Sequence, residues 1–184
     1  EQWEQALLIL TAMQLRDVKA DVISLNAAIS ACEKGRHWQG SLGLLAEMWQ
    51  KRILPNTITY SAAISAYSKG RQSALALKLF EIMLEQRLAP HVVTYNSAIS
   101  ACEHAKQPDR ALELFEGMKK QGLTPSVITY NAVISVCESD QSSDFFESML
   151  QQRLTPDVIT YNAAISGCER GQKWEQALTL LGRM

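Results

Sequence analysis

The sequence has 184 residues, of which 47% are hydrophobic and 20% charged, with only nine Gly and five Pro. This composition is typical of a folded globular chain and excludes a disordered one. The formal net charge of −1 excludes a broadly basic surface, so a nucleic-acid-binding function must depend on where individual residues lie. The sequence has no run of eighteen apolar residues and therefore predicts no membrane span.

The chain repeats one pattern of thirty-five residues. Residues 1–21 contain WEQALLILTAM, which matches WEQALTLLGRM at the C-terminus and predicts the second half of a repeat. Later segments read VISLNAAIS, TITYSAAIS, VVTYNSAIS, VITYNAVIS and VITYNAAIS, and each marks the start of a unit. The predicted complete units are 22–56, 57–91, 92–126 and 127–157, followed by a partial unit at 158–184.

Each unit predicts two helices. In the first, Tyr95, Ala98, Ile99 and Cys102 follow the i, i+3, i+4, i+7 spacing of one apolar face. The second helix carries Ala111, Leu112, Phe115 and Met118, again at helical spacing. We expect the first helices to end at Gly35, Gly70 and Gly171, and the second helices to end at Pro55, Pro90, Pro125 and Pro156. Two helices cannot bury these faces alone, so stacked copies are predicted to form an all-α solenoid.

The unit 127–157 is shorter than the others. Cys137 and Met149 are twelve positions apart, whereas the equivalent Cys102 and Met118 are sixteen apart. The loss of four residues corresponds to roughly one helical turn.

The four cysteines occupy equivalent places, at Cys32, Cys102, Cys137 and Cys168. There is no C-x-x-C pair, and the three His are scattered, so neither a metal site nor a cofactor is predicted. Equivalent positions on helices 8–10 Å apart also disfavour disulfides, which leaves small buried apolar side chains. Without a nucleophile–base pair or a Gly-rich phosphate loop, the chain is predicted not to be an enzyme.

A head of V-[VI]-T-Y-N, a second helix of A-L-x-L-F-E-x-M and a tail of L-x-P resemble the pentatricopeptide repeat family, in an array of 35-residue units with one unit of 31. The related tetratricopeptide signature W-x-x-L-G-x-x-Y is absent. The resemblance implies a right-handed α-solenoid superhelix of stacked two-helix repeats. It also implies binding of single-stranded RNA, with one base selected by each repeat.

In that family the fifth and last residues of each unit select the base. The matching pairs are Asn26 with Asn56, Ser61 with His91, Asn96 with Ser126, and Asn131 with Asp157, and the partial units add Asp21 and Asn162. Asp only accepts hydrogen bonds and suits the ring N–H of U or G, whereas Asn also donates and suits C or A. Asn at the fifth place implies pyrimidines, so the expected RNA core reads C, any base, pyrimidine, U from the 5′ end.

Two further sets of residues match RNA-contacting positions of the family. The second residue of each unit, implied to insert between bases, corresponds to Ile23, Ile58, Val93, Ile128 and Ile159. These residues could instead be hydrophobic staples. A polar face that includes Asn96, Ser100 and His104 ends in a basic residue in most units, which suggests phosphate contacts from Lys34, Lys69, His104 and Arg170. A favourable interaction with the helix dipole is the alternative.

Two departures weaken this pattern of charge. The shortened unit has Ser139 in place of the basic residue. An acidic column also follows the polar face, and its side chains are expected to point away from RNA because adjacent helical residues diverge: Glu33, Glu103, Glu138 and Glu169.

The expected function is sequence-specific RNA binding in organellar RNA processing, stability, editing or translation, in a mitochondrion or plastid by family resemblance. The chain would then direct an effector domain or protein partner that lies outside it. A protein-binding helical scaffold is the alternative, and the near-neutral charge favours it.

Overall fold

The computed structural model of the protein describes residues 2–184, apart from the side chain of Ser139. Within that range, all regular secondary structure is helical, which confirms the predicted all-α class. None of the described helices is both long and apolar enough to cross a membrane. The helices in chain order are α1 (Gln2–Leu15), α2 (Val22–Lys34), α3 (Trp38–Gln50), α4 (Thr57–Lys69), α5 (Ser73–Glu85), α6 (Val92–Ala105), α7 (Pro108–Lys120), α8 (Val127–Val136), α9 (Ser139–Gln151), α10 (Val158–Arg170) and α11 (Trp174–Arg183).

The chain forms two compact units, one ending at Ala101 and the other beginning at Cys102. In the first unit, α2 packs against α1, α3 and α4, and α4 also packs against α3 and α5. In the second unit, α8 packs against α7, α9 and α10, and α10 also packs against α9 and α11. Within each unit, therefore, the first helices of successive repeats lie side by side and the second helices cover one of their faces, as the solenoid prediction requires.

Aromatic pairs join each repeat to the next one inside a compact unit. The ring of Phe80 meets the edge of Tyr95 with centroids 5.2 Å apart in the first unit. In the second unit, Phe115 meets Tyr130 at 5.5 Å and Phe146 meets Tyr161 at 5.4 Å. Such pairs contribute about 0.5–1.5 kcal/mol beyond the area they bury. The conserved spacing of Phe and Tyr within this sequence therefore fixes how neighbouring repeats stack.

The four cysteines are buried and free, as the sequence predicted. Burial raises the pKa of the Cys102 and Cys137 thiols to about 11. These side chains therefore remain protonated at neutral pH and act as small apolar groups.

The first helices end at Gly35, Gly70 and Gly171 as predicted, whereas the second helices do not end at the prolines. Gly35 and Gly70 do cap α2 and α4, but with negative φ, and the left-handed residues are the next ones, Arg36 and Arg71. The glycines are needed for close packing instead, because a Cβ on Gly35 would lie 2.2 Å from Cδ1 of Trp3. A Cβ on Gly70 would lie 2.5 Å from Cδ1 of Trp38.

The prolines do not end the second helices. Helix α3 ends at Gln50, well before Pro55, and Arg52 has the positive φ that turns the chain out of the helix. Pro55 directly precedes Asn56, the N-cap of α4. The expectation was wrong because a left-handed residue had already ended the helix before the proline was reached.

Of the four residues missing from the shortened repeat, three are lost from the C-terminal end of its first helix and one from the connection to its second helix. Helix α8 has ten residues, whereas α2 and α4 have thirteen, and only Cys137 and Glu138 connect α8 to α9. Helix α9 keeps thirteen residues. The N-terminal end of α8 therefore remains like those of the other first helices, and the change is confined to its C-terminal end.

The following repeat compensates for this loss. Arg170 of α10 donates hydrogen bonds of 2.9 Å to the carbonyl oxygens of Ser135 and Cys137, at the end of α8 where the helix offers no further N–H groups. Lys173 forms an ion pair with Asp140 of α9. A Cβ on Gly167 would lie 2.7 Å from Oγ and 3.0 Å from Cβ of Ser142, so α9 approaches α10 closely. The equivalent position holds alanine at Ala31, Ala66 and Ala101.

This close approach predicts that Gly167→Ala destabilises the protein. Alanine is normally favoured over glycine inside a helix by roughly 0.5–1 kcal/mol, but here the added methyl group would collide with Ser142, at a cost of about 1–3 kcal/mol. The free energy of unfolding, measured with denaturant, should therefore decrease.

Gly43→Ala is the matched control, because a Cβ on Gly43 of α3 would have no neighbour within 4 Å. That substitution should stabilise the protein. Stabilisation of both variants to the same extent would show that α9 and α10 are not closely packed at Gly167.

Candidate nucleic-acid interface

The last residue of a repeat is the N-cap of the next first helix. This holds for Asp21, Asn56, Ser126 and Asp157, at the starts of α2, α4, α8 and α10. In each case the side chain accepts the backbone N–H of the residue three positions later, and the hydroxyl of that residue accepts the N–H of the cap. Four predicted base-selecting residues therefore also stabilise the first turns of helices.

Two of the predicted base-selecting pairs are in direct contact. In the first compact unit, Asn26 Nδ2 donates to Asn56 Oδ1 at 3.2 Å, and Thr59 Oγ1 donates to Asn26 Oδ1 at 2.6 Å. In the second, Asn131 Nδ2 donates to Asp157 Oδ1 at 3.2 Å, and Thr160 Oγ1 donates to Asn131 Oδ1 at 2.6 Å. We call each such trio a cap cluster: Asn26, Asn56 and Thr59, or Asn131, Asp157 and Thr160.

The cap cluster of the shortened repeat has the same geometry as that of a full-length repeat. The two hydrogen-bond lengths agree although one repeat has lost four residues. The reason is that the deletion lies at the C-terminal end of α8, whereas Asn131 lies in its first half. The structure thus brings Asn131 and Asp157 together despite the shortening.

The other predicted base-selecting residues are arranged differently. Ser61 shares a 2.6 Å hydrogen bond with Thr94, and the backbone N–H of His91 donates to the same Thr94 hydroxyl at 3.4 Å. Asn96 lies in the first compact unit and Ser126 in the second, where it caps α8. Asp21 caps α2, and Asn162 lies exposed on α10.

The caps favour the charged form of the two aspartates. The hydrogen bond from the backbone N–H of Thr160 is the main cause that lowers the pKa of Asp157 below 3.8, and the Thr160 hydroxyl and the Asn131 amide add to it. The backbone N–H of Ser24 lowers the pKa of Asp21 in the same way. Both side chains are therefore carboxylates at neutral pH and can only accept hydrogen bonds.

The aliphatic second residues of the first helices face solvent. Their side chains are 60% to 72% exposed: Ile23, Ile58, Val93, Ile128 and Ile159. The staple alternative is therefore wrong, since a staple buries an apolar residue that precedes the N-cap, whereas these follow it by two positions. Each lies three residues before the fifth residue of its repeat, on the same side of the helix.

The acidic column lies beside the polar face of the following repeat. Glu33 accepts hydrogen bonds of 2.8 Å from both Ser65 and Lys69, and Glu103 accepts one of 2.6 Å from Ser135. Glu33 and Glu103 therefore contact the polar face of the next first helix, and their orientation away from RNA stays a prediction. Each glutamate lies off the polar face of its own helix, because adjacent helical residues diverge. The first helix of the next repeat lies alongside, however, and its serine contacts the glutamate.

The predicted phosphate-contacting residues differ in their present contacts. Lys34 and His104 are exposed in the last turns of α2 and α6. Lys69 pairs with Glu33, although its side chain remains 46% exposed, and Arg170 binds the end of α8. The side chain of Ser139 lies outside the described part of the chain. Among the described residues, no cluster of three or more His, Cys, Asp or Glu could hold a metal ion.

Family comparisons agree with the repeat structure. The PPR repeat family matches residues 55–102 and 90–139, the pentatricopeptide repeat domain matches 8–70, and the PPR repeat matches 159–184. These matches include most of the chain. A search of curated proteins found no match.

Solved structures with the same arrangement include maize and Arabidopsis thaliana proteins. The maize pentatricopeptide repeat protein PPR10 is 25% identical, with a TM-score of 0.74 over 99% of this chain and 27% of its own. Its complex with an 18-nt psaJ RNA element is 21% identical, with a TM-score of 0.71 over 93% and 26%. The PPR domain of Arabidopsis protein-only RNase P 1, in complex with tRNA, is 14% identical with a TM-score of 0.76 over 89% of both chains. The present chain thus spans about a quarter of the maize protein.

The cap hydrogen bonds predict an acidic titration for Asp157. Carbon-detected NMR of its carboxyl group should give a midpoint below the ordinary value of 3.8. Because the folded-state pKa is lowered, the contribution of Asp157 to stability is fully present above its unfolded pKa and is lost as the pH falls through the lowered value.

Thr160→Val is the control, because it removes the hydroxyl but keeps the backbone N–H that lowers the pKa most. The midpoint should move only part of the way back. A wild-type midpoint at or above 3.8 would contradict the cap geometry.

Proposed function

Because this chain belongs to the pentatricopeptide repeat family, we propose that it binds single-stranded RNA and selects one base with each of its repeats. The two cap clusters are the main support, since each combines a predicted fifth and last residue into one polar group, at the starts of α4 and α10. Structures of similar repeat proteins contain an RNA element or tRNA, which agrees with the proposal. The units 22–56, 57–91, 92–126 and 127–157 are the proposed base-selecting repeats.

The cap determines which atom of the last residue is available to a base. Asp157 uses Oδ1 to accept the N–H of Thr160 at 2.8 Å, so Oδ2 can accept a hydrogen bond from an RNA base. Uracil offers such a donor at its ring N–H, whereas cytosine has a lone pair there. Asn56 uses Oδ1 in the same way, at 3.1 Å from the N–H of Thr59, which directs its Nδ2 donor outward and suits cytosine.

These two pairs define the ends of the proposed RNA core. Asn26 with Asn56 selects C, and Asn131 with Asp157 selects U. Ser61 with His91 leaves the second base open, and Asn96 with Ser126 selects a pyrimidine. With the N-terminal repeat at the 5′ end, the core reads C, any base, pyrimidine, U.

Stacking and phosphate contacts complete the proposed interface. The exposed aliphatic side chains are placed to insert between successive bases: Ile23, Ile58, Val93, Ile128 and Ile159. Lys34 and His104 can meet phosphates directly. To bind phosphate, Lys69 must break its ion pair with Glu33, which costs little because exposed ion pairs are worth about 0–1 kcal/mol. Arg170 must break its hydrogen bonds to two carbonyl groups at the end of α8. We therefore expect weak, salt-sensitive binding from these few repeats.

A protein-binding scaffold is the competing function, and the net charge of −1 is the observation that favours it. The two cap clusters favour RNA, because a protein partner gives no reason for the same polar pair at the same place in two different repeats. We propose that any catalysis by the whole protein is performed by another domain or by a partner. We also propose that the protein acts on RNA in a mitochondrion or plastid.

The proposal predicts a preference for single strands. A short unstructured RNA containing the core should bind more tightly than its duplex, because paired bases cannot present their Watson–Crick edges. With four candidate phosphate-contacting residues, the slope of log K against log salt should reach about −3 at most for a single strand. Fluorescence anisotropy at several salt concentrations measures both quantities.

Equal affinity for duplex and single strand would contradict base selection. Absence of binding to any RNA at low salt would contradict the proposed function and favour the protein scaffold.

The roles of the last residues predict that base preference can be exchanged. Asp157→Asn should move the preference at one position from U toward C, by roughly 1–3 kcal/mol of discrimination. Asn56→Asp is the reciprocal variant and should move the first position from C toward U. Both substitutions keep a good N-cap, so stability should change little. Competition between U- and C-containing RNAs measures the shift, and an equal loss of affinity for both bases would show that these residues only support the fold.

A further inference from the structure

We propose that the buried threonine at the third position of a first helix determines the base class selected by the preceding repeat, because it fixes the orientation of that repeat's asparagine amide. The threonines are Thr59, which acts on Asn26, and Thr160, which acts on Asn131. They are positioning residues that would not touch RNA. This inference rests on the proposed function.

Burial indicates that these hydroxyl groups have a specific task. The third residue of the first helix is completely buried at Thr59, Thr94, Thr129 and Thr160. A buried hydroxyl is costly unless it forms hydrogen bonds. The capping box explains only that the hydroxyl accepts the N–H of the N-cap residue. The hydrogen of the hydroxyl group needs an acceptor of its own.

Distances assign that hydrogen to the asparagine. Thr160 Oγ1 lies 2.6 Å from Asn131 Oδ1 and 2.9 Å from Asp157 Oδ1. The aspartate oxygen already accepts the N–H of Thr160 and an Nδ2 hydrogen of Asn131. In the other cap cluster, Thr59 Oγ1 lies 2.6 Å from Asn26 Oδ1 and 3.1 Å from Asn56 Oδ1. The shorter contact is thus to the asparagine amide in both clusters.

The two neighbours of each asparagine require opposite ends of its amide. The threonine hydroxyl donates to Oδ1, and the capping oxygen of the last residue accepts from Nδ2. Rotation of the Asn131 amide by half a turn would place its oxygen against the Asp157 oxygen, and two acceptors would then face each other. The amide is therefore held with its remaining N–H hydrogen as the group available to a ligand.

A fixed donor explains a pyrimidine preference. U and C share the O2 carbonyl next to the ring nitrogen at which they differ, so an N–H group that binds O2 would accept both. The last residue then distinguishes them at the ring nitrogen. The threonine would thus set the class of base, while Asp157 or Asn56 sets the individual base.

The repeat with Ser61 provides an internal contrast. Its hydroxyl shares a hydrogen bond of 2.6 Å with Thr94 at the equivalent place. Since a serine hydroxyl both donates and accepts, Thr94 cannot restrict it to one role. This arrangement agrees with a base at that position that is not limited to pyrimidines.

Thr160→Val tests the inference, since valine keeps the shape but has no hydroxyl, and Thr160→Ser restores it. RNAs with U, C, A or G opposite Asn131 would compete for each protein. In the valine variant, the preference for pyrimidine over purine should fall about tenfold, whereas the preference for U over C should stay the same. The serine variant should have the wild-type preference for pyrimidine. In RNA-free protein, NMR of the Asn131 side-chain amide should show faster exchange with solvent in the valine variant only.

Ser24→Ala is the matched control for the lost cap. Ser24 completes the same capping box with Asp21, and its hydroxyl donates to that aspartate rather than to an asparagine of a preceding repeat. The control should lower thermal stability as Thr160→Val does, yet leave base preference unchanged.

An unchanged pyrimidine preference, or unchanged exchange of the Asn131 amide, in Thr160→Val would overturn the inference. A uniform loss of affinity for all four RNAs that serine does not repair would also overturn it, since it would show a purely structural role. If wild-type protein binds no RNA, the proposed function fails separately, and amide exchange alone decides whether Thr160 orients Asn131.

Discussion

Hydrogen bonds at the start of each first helix join residues from two successive repeats. At the starts of α4 and α10, the last residue of one repeat caps the helix, and the third residue of that helix donates to the fifth residue of the repeat before it. Helix initiation, the stacking of repeats and the arrangement of the candidate interface therefore depend on the same few bonds. A substitution at Asn56 or Asp157 that tests the proposed base selection must therefore preserve the cap, or it will also affect the fold.

The shortened repeat shows that the cap hydrogen bonds do not depend on the length of the first helix. Its missing turn lies at the C-terminal end of α8, where Arg170 binds exposed carbonyl groups and Gly167 allows α9 to approach α10. Its cap cluster is unaffected, because Asn131 lies in the first half of α8 and its partners Asp157 and Thr160 lie at the start of α10. The deletion therefore changes how α9 packs against α10. It also affects one candidate phosphate contact, because Arg170 is hydrogen-bonded to the carbonyl groups at the end of α8.

The sequence predicted the features that are determined within a single repeat. It did not predict those that depend on contacts with the following repeat. Apolar spacing predicted the helix pairs, and the resemblance to a known family implied the pairs of residues that meet at Asn26 and Asn131. The N-caps were missed, although Asp or Asn three positions before Ser or Thr was a usable signal. Glu33 could not be placed from its own helix, since its partners Ser65 and Lys69 lie on α4. Gly35 was correctly predicted to end α2, but its close approach to Trp3 could not be predicted because Trp3 lies on another helix.

Selection from a random RNA pool, followed by sequencing, tests most directly whether these cap clusters select bases. If the clusters select bases, four adjacent positions that read C, any base, pyrimidine, U should be enriched, with the final U contiguous because the shortened repeat retains its cap cluster. Enrichment with an unselected base in place of that U, or no enrichment at all from a pool that the protein binds, would contradict base selection by the clusters.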